Sequence, residues 1–243
     1  MSARQLRGKI IRFILKIYAR LERPLLLLNF WLVKSPLARW PLTRPLLWGL
    51  FFKPVSELGA AGQPLAPAEA AAYIRQAAAN GAIAVGPCGC RTVHHGCNHP
   101  TRTDIVVYAG VEAWSGAFPA AYEQISAEEA IAIMEECHKA GMIQVLYRSG
   151  MGGGQGYAIC NCCMDGCLPL LNKRAYPGYR FYHGRYVARV DPARCTGCGL
   201  CAEICPFNTR RAGWVGDCYG CGLCASHCPQ GAVEMVERAE VED

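Results

Sequence analysis

No stretch of this sequence approaches the ~20 consecutive apolar residues that a membrane-spanning helix needs. Prolines and charges cut its apolar N-terminal region into short pieces. No Ala-x-Ala cleavage site follows the first apolar run, and the only Arg-Arg pair is Arg210-Arg211. Neither a secretory nor a twin-arginine signal is therefore read. The glycine-rich stretch from Gly150 to Gly156 lacks a following Lys-Ser/Thr and a strand–helix context, which argues against a phosphate-binding loop or a dinucleotide fold. No C-x3-C-x2-C run is present, because Leu170 occupies the position that Cys163 and Cys167 would require next. No Ser–His–Asp arrangement stands out. Acids are scarce at one end. Residues 1–53 hold one acid, Glu22, against eleven Lys/Arg, while the remainder holds eighteen acids against fourteen Lys/Arg. A basic arm on an acidic body points to an anionic surface as the arm's partner.

What the chain has in excess is cysteine, sixteen in 243 residues. Without a secretory context, that density reads as metal binding in a reducing cytoplasm. Eight of the sixteen form one pattern written twice. Cys195, Cys198, Cys201 and Cys205-Pro206 are followed by Cys218, Cys221, Cys224 and Cys228-Pro229. A cubane cluster needs four thiolates. Three cysteines at two-residue gaps let a short loop hold three corners, and in the bacterial run the fourth cysteine ligates the other cluster. The expected sets are Cys195, Cys198, Cys201 and Cys228 for one [4Fe–4S] cluster, and Cys218, Cys221, Cys224 and Cys205 for the second. Tetrahedral zinc and disulfides also use paired cysteines, but neither explains two identical runs each closed by proline.

This stretch resembles the bacterial-type two-[4Fe–4S] ferredoxins, from about Tyr186 to Val236. The resemblance takes in the lead-in Val187 to Pro192, the "TGCGLC" and "YGCGLC" loops and the closing Gly231 to Glu234. It implies a pseudo-twofold pair of short hairpins and helices around two clusters, and one-electron transfer. Asn208–Gly216 lacks a clear strand and reads as a bare loop.

Upstream, residues 1–56 read as a basic amphipathic arm. At about 100° per residue, Ile10, Ile11, Phe13, Ile14, Leu15, Ile17, Tyr18 and Leu21 share one broad face, and Arg12, Lys16, Arg20 and Arg23 lie opposite. Pro24 is placed to start a second helix. Lys34-Ser35-Pro36 stops it, and Leu46–Phe52 forms a third apolar piece. Trp31, Trp40 and Trp48 recur among the basic residues, a composition suited to a membrane interface. The reading is an arm lying on the cytoplasmic leaflet without crossing it. Packing on a partner subunit or on the protein's own body is the alternative. Nucleic acid is not expected.

Residues 57–178 read as a cysteine-rich α/β module after a linker at Gly59–Pro67. Helices are predicted over Pro67–Asn80 and from Ser126 to about Ala140, the second opened by a Ser126/Glu129 capping box. Strands are predicted over Ala82–Gly86, Asp104–Val111 and Met142–Tyr147. Helix, glycine, strand and cysteine loop occur twice. The loops carry Cys88, Cys90, Cys97, Cys160, Cys162, Cys163 and Cys167. The pattern "CxCR…C" followed by "CNCC" resembles an upstream module of some ferredoxin-fused iron–sulfur proteins. It implies a third iron–sulfur cluster, with zinc or a redox dithiol as alternatives. Cys90, Cys97, Cys160 and Cys163 are the first-choice ligands, with Cys88, Cys162 and Cys167 as substitutes. His94, His95 and His99 flank Cys97 and are read as supporting or surface groups. Cys137, within a helix, reads as a simple thiol.

The chain is thus expected to be α+β. Its parts would be the arm, the α/β middle module and a two-[4Fe–4S] ferredoxin domain over 179–243. Leu168–Arg185 would be a Tyr-rich, basic connector packing the last two together. The expected function is electron transfer as a subunit or partner of a membrane-associated oxidoreductase complex, with redox proteins as partners. The location would be peripheral, on the cytoplasmic face. Two other classes compete. One is an iron–sulfur enzyme that reduces a small substrate or a quinone at the middle site. The other is a redox sensor.

Overall fold

The structure is a computed structural model that describes residues 3–58, 60–149, 155–211 and 214–240. Its mixed helix and sheet agree with the α+β expectation. The N-terminal part is helical: α1 (Ala3–Lys34), α2 (Thr43–Leu47), a π-helical turn at Trp48–Phe52 and α3 (Lys53–Leu58). The middle follows as β1 (Ala60–Leu65), α4 (Pro67–Ala79), β2 (Ile83–Pro87), α5 (Gly89–His94), β3 (Arg102–Val107), β4 (Glu123–Ile125), α6 (Ala127–Lys139), β5 (Ile143–Ser149), β6 (Gly156–Cys162) and α7 (Leu168–Ala175). The C-terminal part holds β7 (Tyr186–Val190), α8 (Leu200–Glu203), β8 (Arg210–Arg211), β9 (Trp214–Val215), α9 (Leu223–Ser226) and β10 (Val233–Glu237).

Six strands form one sheet in the order β1-β5-β6-β3-β2-β4, and every pairing is antiparallel. Helix and strand alternate, yet no two strands of the sheet are parallel neighbours among the described residues, and the single parallel bridge is the isolated Gly62↔Phe181 on β1. Strand alternation sets its two faces. Ile83, Val85, Ile105, Val107, Leu146 and Ile159 pack against Ile74 of α4 and Met134 of α6. Ala84, Val106, Val145, Tyr147 and Ala158 point the other way, into a core shared with Leu15, Ala19, Leu26 and Phe30 of α1. The ends of α6 match the sequence expectation, with Glu129 N donating to Ser126 Oγ at 3.1 Å.

Several expectations are corrected. The linker at Gly59–Pro67 contains β1, an edge strand whose Pro64 pairs with Val145. Edge strands tolerate proline because one side of the ladder is unused. The arm is not three pieces, because α1 runs unbroken through Pro24, which stands on the exposed side. Its broad apolar face is split. Leu15 and Ala19 are buried and Tyr18 half-buried against the body, whereas Phe13, Ile17 and Leu21 face outward. Asn208–Gly216 is not a bare loop, since Arg210 pairs with Val215 and Arg211 with Trp214. Cys160 and Cys162 lie within β6, not in a loop after it. Of the glycine-rich stretch, residues 150–154 lie outside the described residues.

Candidate metal centres

In the C-terminal domain β7 and β10 pair antiparallel from Tyr186↔Glu237 to Val190↔Val233. They present two loops of the same backbone shape. Gly197 and Gly220 have φ of +71° and +80°, and Gly199 and Gly222 have φ of +81° and +77°. Only glycine takes these left-handed conformations freely, which accounts for the G-x-G spacing inside both cysteine runs. Gly199 and Gly222 then cap the one-turn helices α8 and α9.

Each loop closes on a cysteine from the far end of the other. A cavity of about 20 Å³ is lined by Cys195, Cys198, Cys201 and Cys228. A second cavity of about 20 Å³ is lined by Cys205, Cys218, Cys221 and Cys224. The two differ in depth. Cys198 is exposed and Cys195, Cys201 and Cys228 are half-buried, whereas all four cysteines of the second set are buried. Burial pushes the Cys221 thiol up strongly. It also takes Cys224 to about 11, against the opposing pull of Arg210. Arg210, itself buried, donates from Nη1 to Cys224 Sγ at 2.8 Å. At Cys228 burial is the largest single influence and raises the thiol, but the backbone N–H groups of Ala232, Gln230, Val233 and Gly231 together outweigh it and lower the pKa. N–H groups aimed at a sulfur favour its thiolate, the form that binds metal.

The middle module has a larger cavity, about 150 Å³, between the sheet and α1. Strand period places Cys160 and Cys162 on its sheet side. Cys88 and Cys167 are the N-cap residues of α5 and α7. Cys90 and Cys163 also line it. Cys97 does not, and instead its sulfur lies 3.2 Å from that of Cys163. Thus Cys97 and Cys163 of the first-choice quartet meet each other. Cys90 lines the cavity together with Cys88 and Cys167, and the Cys160 thiol donates to Asp104 Oδ1 at 3.0 Å. Cys137 is packed with Met142 beside Cys163, an ordinary core thiol. None of His94, His95 and His99 lines the cavity. His94 stacks on Phe30 and hydrogen-bonds Lys34. Among the described residues no three His, Cys, Asp or Glu side chains converge as ligands of a single ion. A cubane makes a different demand, since each thiolate binds a separate iron.

Sequence reasoning missed the non-cysteine walls. Glu22 of α1 accepts from Trp114 Nε1 at 3.0 Å. Burial raises its carboxyl to about 7, reinforced by Asp104. Burial likewise raises Asp104, which accepts from the Tyr122 hydroxyl at 3.0 Å. Tyr18, Tyr147, Tyr157 and Tyr179 complete the lining. One signal was visible: Glu22 is the single acid among the first 53 residues.

Residues 188–211 match a family described as the 4Fe-4S binding domain. The C-terminal segment is a ferredoxin-like iron–sulfur domain. The indolepyruvate oxidoreductase subunit IorA of Pyrococcus horikoshii is 36% identical over 67 residues, covering 26% of this chain and 10% of that relative. The likeness therefore concerns one segment of each protein. No solved structure matches the chain. The domain carries at least one [4Fe–4S] cluster.

Proposed function

We propose that this chain passes single electrons through two [4Fe–4S] clusters in its C-terminal domain, 179–243, and a third iron–sulfur site in the middle module, 57–178. It would do so as a subunit or partner of a membrane-associated redox complex. The observation that carries this reading is the pair of small cavities, each bounded by one crossed quartet. Cys195, Cys198, Cys201 and Cys228 would hold the outer cluster. Cys205, Cys218, Cys221 and Cys224 would hold the inner one. A bound cluster supplies one-electron redox chemistry. The chain's own residues set its surroundings. Cys198 leaves the outer site open to a docking protein, while Arg210 offsets negative charge at the inner one.

The connector supports an order of sites. Tyr179 lines the middle cavity, and its neighbour Phe181 packs edge-on to Phe207 and Tyr219. Phe207 and Tyr219 line the inner ferredoxin cavity and stack on each other at 4.3 Å. The inner site thus faces the middle module and the outer site faces away. The IorA similarity supports a role beside other redox subunits. The test is Cys198→Ala in the full chain. About four irons should be lost while the paramagnetic signal of the reduced inner cluster persists. An unchanged iron content would refute the outer ligand set.

One observation favours a second reading, an enzyme reducing a small substrate or quinone. The middle cavity is about 150 Å³ against about 20 Å³ at each ferredoxin site. It thus has room for a ligand beside a cluster. Turnover of a soluble quinone by the isolated, reduced chain would establish that reading. Oxidation confined to partner proteins would leave the chain an electron carrier.

A further inference from the structure

The seven cysteines of the middle module divide into two groups. Cys97 and Cys163 pair at 3.2 Å between sulfurs, with Gly166 N donating to Cys163 at 3.3 Å. A Cβ on Gly166 would sit 3.0 and 3.1 Å from the two sulfurs, so a larger residue there would have to displace one of them. The second group is Cys88, Cys90, Cys162 and Cys167. All four line the cavity. Cys160 stands apart, its thiol committed to Asp104.

A buried cation borders this second group. Arg91 is 2% exposed. Its Nη2 donates to Thr103 Oγ1 at 2.5 Å and to the Asn161 carbonyl at 2.7 Å, and its Nη1 to Met142 Sδ at 3.2 Å. Its Nε has no partner. These three acceptors are neutral, and a buried guanidinium without an anion is costly. Asp104 is near enough to feel its charge, but no hydrogen bond joins them. Of the middle cysteines, Cys88 acts most strongly on Arg91, its negative charge favouring the guanidinium. The inner ferredoxin site also holds a buried arginine, Arg210, which donates to a cysteine sulfur.

We propose that Cys88, Cys90, Cys162 and Cys167 ligate the iron–sulfur cluster of the middle module, with Arg91 as its buried counter-charge, and that Cys97 and Cys163 form a separate dithiol. This rests on the reading that the middle module carries a cluster, and it replaces the quartet chosen on sequence spacing. Four thiolates around a cubane leave an anionic site, which gives the guanidinium the partner its neutral shell lacks.

The test compares serine variants of the full chain, purified anaerobically and assayed for iron, sulfide and zinc. The wild type should hold about twelve irons. Cys88→Ser and Cys167→Ser should lose about four, whereas Cys97→Ser, Cys163→Ser and Cys160→Ser should lose none. The signals of the reduced ferredoxin clusters report folding in each variant. If Cys88→Ser or Cys167→Ser fails that control, alkylation of the native wild type decides. Cys97 should react, and Cys88, Cys90, Cys162 and Cys167 should react only after iron is chelated. Arg91→Gln should lower the midpoint potential of the third signal, with Arg91→Lys restoring much of it. A wild type with about eight irons would mean that the middle cluster itself is absent. Twelve irons with losses confined to Cys97→Ser and Cys163→Ser would keep the cluster and overturn this ligand set. One zinc in place of the third set would overturn both.

Discussion

Glu22 shows what one residue's setting does to its chemistry. It is the lone acid of a basic helix, buried against Trp114. Burial holds its folded pKa near 7, against 4.5 for the free group. The folded state therefore keeps the proton over a range where the unfolded chain releases it. Its contribution is fully present below about 4.5 and is lost as pH rises through about 7. The wild type should lose on the order of 3 kcal/mol across this window. Glu22→Gln should flatten the dependence, and anaerobic melting temperatures from pH 4.5 to 7.5 would show it. Equal slopes in the two proteins would remove Glu22 as the cause. Arg210 gives a second prediction at this scale. Its donation to Cys224 stabilises negative charge on the sulfur. Arg210→Gln should lower the inner cluster's midpoint potential by roughly tens of millivolts, because reduction adds negative charge. A redox titration followed by paramagnetic resonance measures the shift, and an unmoved midpoint would contradict this role.

At the scale of elements, α1 carries apolar residues on both sides. Leu15, Ala19, Leu26, Phe30 and Val33 pack inward, while Phe13, Ile17, Leu21, Leu28 and Trp31 stay exposed. Arg12, Arg20 and Arg23 lie on the seam between the two faces. Trp40, Leu42, Leu46 and Leu50 extend the exposed apolar surface. No helix among the described residues is long and apolar enough to cross a membrane. The arrangement suits a helix lying along an anionic surface, where each well-placed Lys/Arg adds about 1 kcal/mol. Removing residues 1–53 would also strip the middle core, so surface substitution is the better test. Phe13→Ser with Trp31→Ser should weaken binding to anionic vesicles by roughly tenfold or more, with iron content unchanged. Equal vesicle binding would refute the membrane role.

Helix ends and strands with strong local signals were legible, as at Ser126 and Ile83. The split of α1 was not, because Leu15 and Phe13 look equally apolar until the sheet selects one. β1 was hidden by Gly, Ala and Pro, which an edge strand tolerates. The grouping of the ferredoxin cysteines around two cavities was legible because the cysteines repeat at short spacing. In the middle module, 72 positions separate Cys90 from Cys162. Their approach depends on sheet register and on α7, which no local pattern encodes.

Across the whole molecule, the parts form a continuous series from the exposed Cys198 to the cavity beneath α1. Ser226 of the ferredoxin domain bonds His138 Nε2 at 2.6 Å, and Tyr182 N donates to the Gly62 carbonyl at 2.8 Å. These contacts tie the inner ferredoxin site to the sheet that carries Cys160 and Cys162. On this reading every site in the series holds an iron–sulfur cluster. Iron, acid-labile sulfide and zinc per chain, measured on anaerobically purified full-length protein, test it most directly. The prediction is about twelve irons and twelve sulfides with no zinc. Zinc bound without sulfide would contradict it.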